Sequence, residues 1–304
     1  MPTVASYCGA LSLCLNAILL IFVLRQASRD RNDAPGLPTV ARATSQSAIR
    51  STNEALYVMY GEGDFADDDD RLLDYIRSMT SRQGPGGRHL SRASRVDFSQ
   101  VGGSRFVDGL LARRRNGFFV ECGAFRGEEL SDTLFFEMER NWTGILIEAH
   151  PNYHRAILSK NRRALVLRAC LSANRRPGLV KFKLAGWGSG VSVLNKNALS
   201  SARGAPETDV QCFSLNSIMA AIGVHHVDFM VLDVEGAELP VLQTINWTRL
   251  SVDVFSIEYS GTRQVEKLEK LRRFFNETGS YKEVGKLPRG FNESIAQDVI
   301  FMRV

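Results

Sequence analysis

Acidic residues stand at the ends of several apolar runs in this chain. If these runs are strands of a parallel sheet, the acidic residues lie at the edge of the sheet where ligands bind. The first run ends in the segment Glu121-Cys-Gly-Ala-Phe-Arg-Gly127. Its glycines, Gly123 and Gly127, allow the backbone to approach a ligand closely, and a helix beginning after it would offer N–H donors. Glu148 closes the next apolar run, 21 residues after Gly127. At that spacing an acidic side chain can accept hydrogen bonds from both ribose hydroxyls of a nucleoside.

The loop lacks two phosphate-binding patterns. It contains neither the complete G-x-G-x-x-G of dinucleotide sites nor the Lys-Ser/Thr pair of a nucleoside-triphosphate loop. The predicted ligand is therefore a nucleoside with little or no phosphate. Taken singly, Glu121 or Glu148 is more typical of a helix cap, but the pair with a glycine loop between them favours a binding site.

A third acidic segment, Asp233-Val-Glu-Gly-Ala-Glu238, ends another apolar run and carries three carboxylates within six residues. A carboxylate in this position can orient a hydroxyl group or accept its proton. The alternative interpretation is that Asp233 or Glu235 caps a helix that begins near Ala237. The sequence leaves both interpretations open.

Elements that would position these acids alternate along the chain. Continuous apolar runs indicate strands that are buried on both faces, as in a parallel sheet covered by helices. They lie at 117–123, 143–148, 164–171, 227–233 and 252–258. Segments 179–184 and 191–193 alternate with a period of two, which predicts a small antiparallel insertion. Closing strands are predicted near 281–286 and 298–303.

Helices are predicted between these strands. They are expected at 106–115, 130–138, 151–160 and 237–245. One further helix is predicted from an apolar face formed by Val265, Leu268, Leu271 and Phe275. In an open parallel sheet, ligands bind beyond the carboxyl ends of the strands, which would bring the three acidic segments together.

Three segments resemble the successive motifs of the FkbM-type methyltransferases. They are 121–127, 147–151 with Asn161 ten residues later, and 232–242. The resemblance covers residues 117 to 304. It implies a class I (Rossmann-like) methyltransferase α/β fold, with a mostly parallel seven-stranded sheet and an antiparallel closing strand. It also implies S-adenosylmethionine (SAM) as cofactor and hydroxyl groups as common methyl acceptors.

The same resemblance assigns roles to individual residues and implies no metal ligand. The cofactor-binding residues would be Glu121, Gly123, Phe125, Gly127 and Glu148. The residues beside the transferred methyl group, and thus the catalytic ones, would be Asp233 and Glu235. Two positions depart from the usual family loop, with Glu121 in place of Asp and Phe125 in place of Asn. Phe125 and Arg126 are bulky, so we expect them to narrow the pocket beside the methionine moiety.

Other features are closer still to the Star-like proteins of arthropods. These features are the phrase Gly117-Phe-Phe-Val-Glu-Cys-Gly-Ala, the helix preceded by the acidic run 67–70, and an apolar amino-terminal segment. Star-like proteins are single-pass membrane proteins of the early secretory route, associated with export of growth-factor precursors, and are not established enzymes. Two functions therefore stay open: O-methylation of a glycan or other small hydroxylated acceptor, and non-catalytic transport of membrane-protein cargo through the ER and Golgi.

Residues 4–24 run for 21 residues without a formal charge. Because a helix rises about 1.5 Å per residue, this length spans a hydrocarbon core of about 30 Å and predicts an uncleaved membrane helix. A cleaved signal peptide and a buried soluble helix are the alternatives, although no basic region precedes the segment and no small-x-small pair follows it. The predicted organisation is an anchor at 1–24, a flexible stalk at 25–66, a helical lead-in at 67–116 and an FkbM-like domain at 117–304.

Two signals on membrane orientation disagree. Arg25, Arg29 and Arg31 follow the apolar segment, and the positive-inside rule would leave the domain in the cytosol. Four N-x-[ST] sequons could be glycosylated only in the secretory lumen. They begin at Asn141, Asn246, Asn276 and Asn292. We expect a lumenal domain in the ER, Golgi and endosomal system.

Composition excludes several classes of protein. An apolar content of 44% with 23% charged residues supports a core of full domain size and excludes a disordered tail. The net charge of +5 comes from scattered Lys and Arg, so nucleic acid is not an expected partner. Two of the five cysteines lie in the apolar segment, and the others, Cys122, Cys170 and Cys212, show no C-x-x-C spacing. We therefore expect neither a disulfide framework nor a zinc site, and a buried Cys122.

Overall fold

The computed structural model describes residues 55–61, 65–84, 86–100, 102–184, 190–191, 204–259, 263–289 and 292–304. The predicted membrane segment at 4–24 and most of the predicted stalk lie outside these residues. Among the described residues, no helix combines the length and the apolar character that crossing a membrane requires.

Most of the described strands belong to one mixed sheet. The strands are β1 (Thr80–Ser81), β2 (Phe118–Cys122), β3 (Thr143–Ile147), β4 (Leu165–Leu167), β5 (Cys170–Leu171), β6 (Gly178–Lys183), β7 (Gly190–Val191), β8 (Glu207–Phe213), β9 (His226–Leu232), β10 (Ser251–Glu258), β11 (Tyr281–Arg289) and β12 (Asn292–Arg303). The large sheet has the order β1-β4-β3-β2-β9-β10-β12-β11. Neighbours from β4 to β10 are parallel, whereas β12 is antiparallel to both β10 and β11.

This topology confirms a Rossmann-like α/β fold with an antiparallel closing strand. The sheet has eight strands instead of the expected seven, because Thr80–Ser81 adds an antiparallel edge strand beside β4. A strand of two residues is too short to produce a periodic signal in the sequence.

Helices cover both faces of the large sheet. They are α1 (Asp70–Met79), α2 (Gly103–Leu110), α3 (Leu134–Glu139), α4 (Pro151–Ser159), α5 (Leu215–Ala221), α6 (Glu238–Leu242) and α7 (Gln264–Thr278). Apolar residues of α1, α5, α6 and α7 share one buried cluster with Val120 and Cys122 of β2. Residues of α2, α3 and α4 share another cluster with Phe119. Since successive strand residues point to opposite faces, the helices form one layer on each side of the sheet.

A second sheet of four short strands has the order β5-β8-β6-β7. The antiparallel pairing of β6 with β7 confirms the predicted insertion. The predicted strand 164–171 is divided, because β4 belongs to the large sheet and β5 to the small one. Strand β8 and helix α5 were not predicted.

Cys170 and Cys212 form a disulfide between β5 and β8, so the expectation of no disulfide was wrong. The two cysteines are 42 residues apart in sequence, and the fold alone brings their α-carbons to 4.4 Å. Cys122 is a free, buried thiol, as expected, and its burial raises its pKa far above the usual range.

Two further expectations need correction. Val58 and Phe65 belong to the predicted stalk, yet both are buried in the core, and residues 55–60 are helical. The boundary at residue 66 was therefore placed too late. Val265, predicted on the buried face of α7, is 76% exposed in the first turn of that helix. The other three apolar residues of that face are buried as predicted.

Helix α3 begins at Leu134, four residues after its predicted start. The cause is a turn held by Glu121 on the neighbouring strand. The Glu121 carboxylate accepts hydrogen bonds from the Ser131 hydroxyl (2.9 Å), the Asp132 backbone N–H (3.1 Å) and the Thr133 hydroxyl (2.5 Å). Segment 131–133 is therefore bonded to the Glu121 side chain, and the helix begins only after it.

Arg162 holds this turn from the other side, and its side chain is 0% exposed. Its Nε donates to Glu137 (3.1 Å), Nη1 to the Gly127 carbonyl (2.9 Å) and Ser131 hydroxyl (3.0 Å), and Nη2 to the Thr133 hydroxyl (3.0 Å). Nη1 also lies 3.6 Å from the Glu121 carboxylate. The loop that follows β2 is thus fixed by a buried guanidinium that donates four hydrogen bonds.

Replacing Arg162 by Met should lower the free energy of unfolding by about 3–5 kcal/mol. The reason is that Met fills a similar volume but leaves the buried Glu121 carboxylate without its cation and Glu137 with Arg88 alone. Urea denaturation followed by circular dichroism measures the change.

Arg163→Met is the matched control, because the Arg163 side chain lies at the surface and bonds to Asn141. We expect a change of less than about 0.5 kcal/mol for this variant. Equal losses in the two variants would show that Arg162 does not carry the buried network.

The double variant Cys170→Ala/Cys212→Ala should unfold at a lower urea concentration than the oxidised protein. Opening a loop of 42 residues removes about 4 kcal/mol in the chain-entropy model. Mass spectrometry of a non-reduced digest should also yield the linked Cys170–Cys212 peptide. Recovery of both cysteines as free thiols from protein handled without reductant would contradict the pairing.

Candidate functional site

A cavity of about 500 Å³ opens at the carboxyl ends of β2, β3, β9 and β10. It lies where an open parallel sheet places its ligands. The structure brings six of the seven predicted site residues to its lining, namely Glu121, Gly123, Phe125, Glu148, Asp233 and Glu235. Gly127 is behind the lining, where its α-carbon packs on Ile157.

Glu121 lines the cavity, but its carboxylate is bonded to other residues of the protein. Its carboxylate bonds to the 131–133 turn and lies near Arg162, as described above. Burial raises the pKa of Glu121, and Arg162 and the three donors oppose that rise in part. Glu121 therefore shapes this wall of the cavity by holding the turn.

Gly123 joins the two halves of the site. Its φ is +81°, and a Cβ atom there would lie 1.9 Å from the carbonyl oxygen of Asp233. Only glycine fits this backbone approach. The loop after β2 is thereby pressed against the loop after β9.

Phe125 lines the cavity, and its ring packs on neighbouring side chains. The ring contacts Tyr153 edge-on at 4.4 Å between centroids, and the Arg126 guanidinium lies 5.0 Å from the Phe125 ring. Tyr153 in turn stacks on His150 at 4.0 Å. These bulky side chains border the cavity without filling it.

Glu148 follows the last residue of β3 and is buried. Its Oε2 accepts a hydrogen bond from the Phe125 backbone N–H (2.8 Å) and its Oε1 one from the His150 N–H (2.7 Å). Burial raises the pKa of Glu148 to about 7, against the effect of these donors. Each carboxylate oxygen keeps a further lone pair for a ligand.

The opposite wall of the cavity is acidic. Asp233 follows β9, Glu258 ends β10, and Asp298 on β12 pairs in register with Glu258. Glu238 opens α6 nearby. Burial, then the charge of Glu258, raises the pKa of Asp233 well above its usual value and the pKa values of Glu238 and Asp298 to about 7.

Neither Asp233 nor Glu235 caps α6, so that alternative interpretation was wrong. The N-cap residue is Ala237, which makes no side-chain capping bond. The Glu238 carboxylate instead holds the turn before the helix, because its Oε1 accepts the backbone N–H groups of Val234 (3.0 Å) and Gly236 (2.9 Å). Glu235 adopts a left-handed backbone conformation with φ +57° in the turn between β9 and α6.

Sequence reasoning missed Glu258 and Asp298 as site residues. Glu258 had a signal, since it ends a continuous apolar run like the other predicted acids. Asp298 had none, because it lies near the beginning of the apolar part of a strand that runs the opposite way.

Solved structures with similar folds share little sequence with this chain. The methyltransferase FkbM from Methylobacillus flagellatus KT is 12% identical, with 84% of this chain and 59% of that chain covered and a TM-score of 0.40. A TehB-like SAM-dependent methyltransferase from Corynebacterium glutamicum is 13% identical, with coverages of 67% and 88% and a TM-score of 0.37. Fibrillarin from Aeropyrum pernix, with natively bound SAM, is 11% identical, with coverages of 66% and 73% and a TM-score of 0.39.

No curated protein matches the chain. A model of the methyltransferase FkbM domain matches residues 121–282, which is more than half of the sequence. This chain therefore belongs to the FkbM methyltransferase family, and its cofactor is S-adenosylmethionine.

Proposed function

We propose that this domain transfers a methyl group to a hydroxyl of an acceptor held against Asp233. The observation that carries the proposal is one cavity with two ends, a nucleoside-type end at Glu148 and an acidic end at Asp233, joined at Gly123. SAM, when bound, supplies an electrophilic methyl group on a positively charged sulfur.

The described residues fit this cofactor. A cavity of about 500 Å³ is within the range of about 300–1,000 Å³ usual for small-molecule sites. Glu148 has the position and the remaining lone pairs to accept both ribose hydroxyls. The acidic lining also suits a ligand that carries a positive charge.

The chain contributes positioning and proton transfer at the acceptor end. Asp233 accepts no hydrogen bond from the described residues, and its pKa is raised, so it suits a group that takes up a proton. Glu235, on the more open turn, would orient the acceptor. A sugar or another small hydroxylated molecule fits this polar end.

We place the domain in the secretory lumen, with residues 4–24 as its membrane anchor. The Cys170–Cys212 disulfide favours this placement, since disulfides persist in oxidising compartments. Asn141 and Asn276, which begin two of the sequons, are exposed. Endoglycosidase-sensitive mobility of the cellular protein would support lumenal placement.

Transport of membrane-protein cargo is the second candidate function. The disulfide and the exposed sequons favour it as much as they favour a lumenal enzyme, and the Star-like features motivate it. Cells that carry the Asp233→Asn variant distinguish the two functions. Only a catalytic role requires that carboxylate, so the variant should lose the cellular function of an enzyme and keep that of a transport protein.

Binding of SAM should release protons at pH 7. Glu148 has a pKa of about 7, so the carboxyl is partly protonated, and the ribose hydroxyls bind its ionised form better. The affinity for SAM should therefore fall as the pH drops below 7. Calorimetric titration of the full chain in buffers of different ionisation enthalpy measures the released protons.

Glu148→Gln should bind SAM about tenfold more weakly or worse, without proton release. Glu129→Gln is the control, because Glu129 also lines the cavity but is exposed and salt-bridged to Arg126 at 3.5 Å. Absence of binding heat for the wild-type chain at millimolar SAM would reject the cofactor assignment.

Asp233→Asn should slow methyl transfer by about 10²-fold or more, because a carboxamide cannot accept the hydroxyl proton. The assay uses methyl-tritiated SAM with a panel of monosaccharides and small glycans. Label in an ether withstands alkali, whereas label in a carboxyl ester is lost.

Asp74→Asn is the matched control, since the Asp74 side chain is 77% exposed on α1. It should keep the wild-type rate. Alkali-labile product, or a wild-type rate in Asp233→Asn, would contradict hydroxyl methylation at this site.

A further inference from the structure

Three carboxylates meet at the acidic end of the cavity from three separate segments. Asp233 comes from the end of β9, Glu238 from the start of α6 and Glu258 from the end of β10. One oxygen of each lies within 4.8 Å of the others. Hard divalent cations are bound by oxygen ligands in this kind of arrangement.

Ser256 supplies a second, independent observation. Its side chain is 2% exposed and lines the same cavity, and its hydroxyl has no hydrogen-bond partner among the described residues. Ser256 lies two residues before Glu258 on β10, so both side chains point to the same face of the sheet. A buried polar group without a partner costs about 1–3 kcal/mol, so this hydroxyl indicates a missing ligand.

The carboxylates of this group also repel one another. In the described part of the chain, no Lys or Arg forms an ion pair with Asp233, Glu238 or Asp298. Lys267 on α7 is the cation that lowers the pKa of Glu238. After burial, the charge of Glu258 is the next cause that raises the pKa values of Asp233, Glu238 and Asp298, so Glu258 repels all three.

Another acidic group shows what a compensated cluster looks like in this fold. His226, Asp228 and Asp253 also have ligand atoms within 4.8 Å of one another. There the Arg114 guanidinium donates to both aspartates. That group is already occupied by a cation of the protein.

We propose that Asp233, Glu238 and Glu258 bind one divalent cation of the Mg²⁺, Mn²⁺ or Ca²⁺ class, with the Ser256 hydroxyl bonded to a water molecule on that cation. Glu238 is oriented for this role, because two backbone N–H groups hold its Oε1 and leave Oε2 to the site. Carboxylate and hydroxyl ligands select these metals over zinc or copper.

The role of the cation in catalysis rests on the proposed function. A metal-bound acceptor hydroxyl loses its proton more readily. The proton passes to Asp233, the proton acceptor of the proposed function, on the carboxylate oxygen that does not bind the cation. The acceptor oxygen forms a bond to the methyl carbon as the carbon–sulfur bond breaks, and that bond's electron pair stays on sulfur. The acceptor leaves as a methyl ether.

Cation binding is measured on the full chain, purified in mild detergent and stripped with EDTA, in the absence of SAM. Titration with Mn²⁺ followed by electron paramagnetic resonance should give one bound ion per chain. Mg²⁺ should raise the melting temperature of the wild-type protein.

Glu258→Gln should bind Mn²⁺ about tenfold more weakly or worse, and Mg²⁺ should no longer raise its melting temperature. In EDTA this variant should be at least as stable as the wild type, because it removes a charge that repels Asp233, Glu238 and Asp298. A purely structural Glu258 would instead make the variant less stable in EDTA.

Asp253→Asn is the control, since it changes the acidic group already occupied by Arg114. It should bind Mn²⁺ like the wild type. Absence of Mn²⁺ binding at millimolar concentration, or unchanged binding in Glu258→Gln, would overturn the site. Mn²⁺ binding without methyl transfer would support the cation site and reject the proposed reaction. Methyl transfer that EDTA does not affect, in a chain that binds no Mn²⁺, would support the reaction and reject the cation site.

Discussion

Arg162 is the buried cation on which the cofactor side of the cavity depends. Removing a guanidinium from water costs several kcal/mol, and the cost is offset only when its donors are bonded and its charge is matched. Here Glu137 and Glu121 supply the charge, and the Gly127 carbonyl and two hydroxyls accept three further hydrogen bonds. The loop after β2 is consequently rigid before any ligand arrives. This rigidity lowers the entropy that a bound cofactor would otherwise have to overcome.

A second constraint connects that loop to the acceptor wall. The α-carbon of Gly123 packs against the carbonyl of Asp233 so closely that no side chain fits between them. A shift of either loop therefore moves the other. Glu148 is tied into the same unit, because it accepts the N–H of Phe125. The nucleoside end and the acidic end of the cavity are thus held at a fixed separation, which transfer of a group between two bound molecules requires.

The sequence predicted the elements whose signal lies within a few neighbouring residues. Strands β2, β3, β9 and β10 were predicted to within one or two residues, since each is a continuous apolar run. Contacts between distant segments were beyond the sequence, as with the disulfide and the late start of α3, which a carboxylate on β2 determines. The site shows the same division. Acids that follow parallel strands could be found by position, whereas Asp298 is brought to the cavity by the pairing of two strands far apart in the chain.

The reversed direction of β12 also explains why the two walls of the cavity differ. Parallel strands deliver their last residues to this edge, but the antiparallel strand β12 passes through it in its middle. Asp298 therefore faces Glu258 directly, and two carboxylates occupy neighbouring positions of one sheet. Like charges so placed repel each other, and burial strengthens the repulsion. On the opposite wall Arg162 lies between Glu121 and Glu137, so the wall formed by β10 and β12, which places two carboxylates side by side, is the one whose chemistry suits a positively charged ligand.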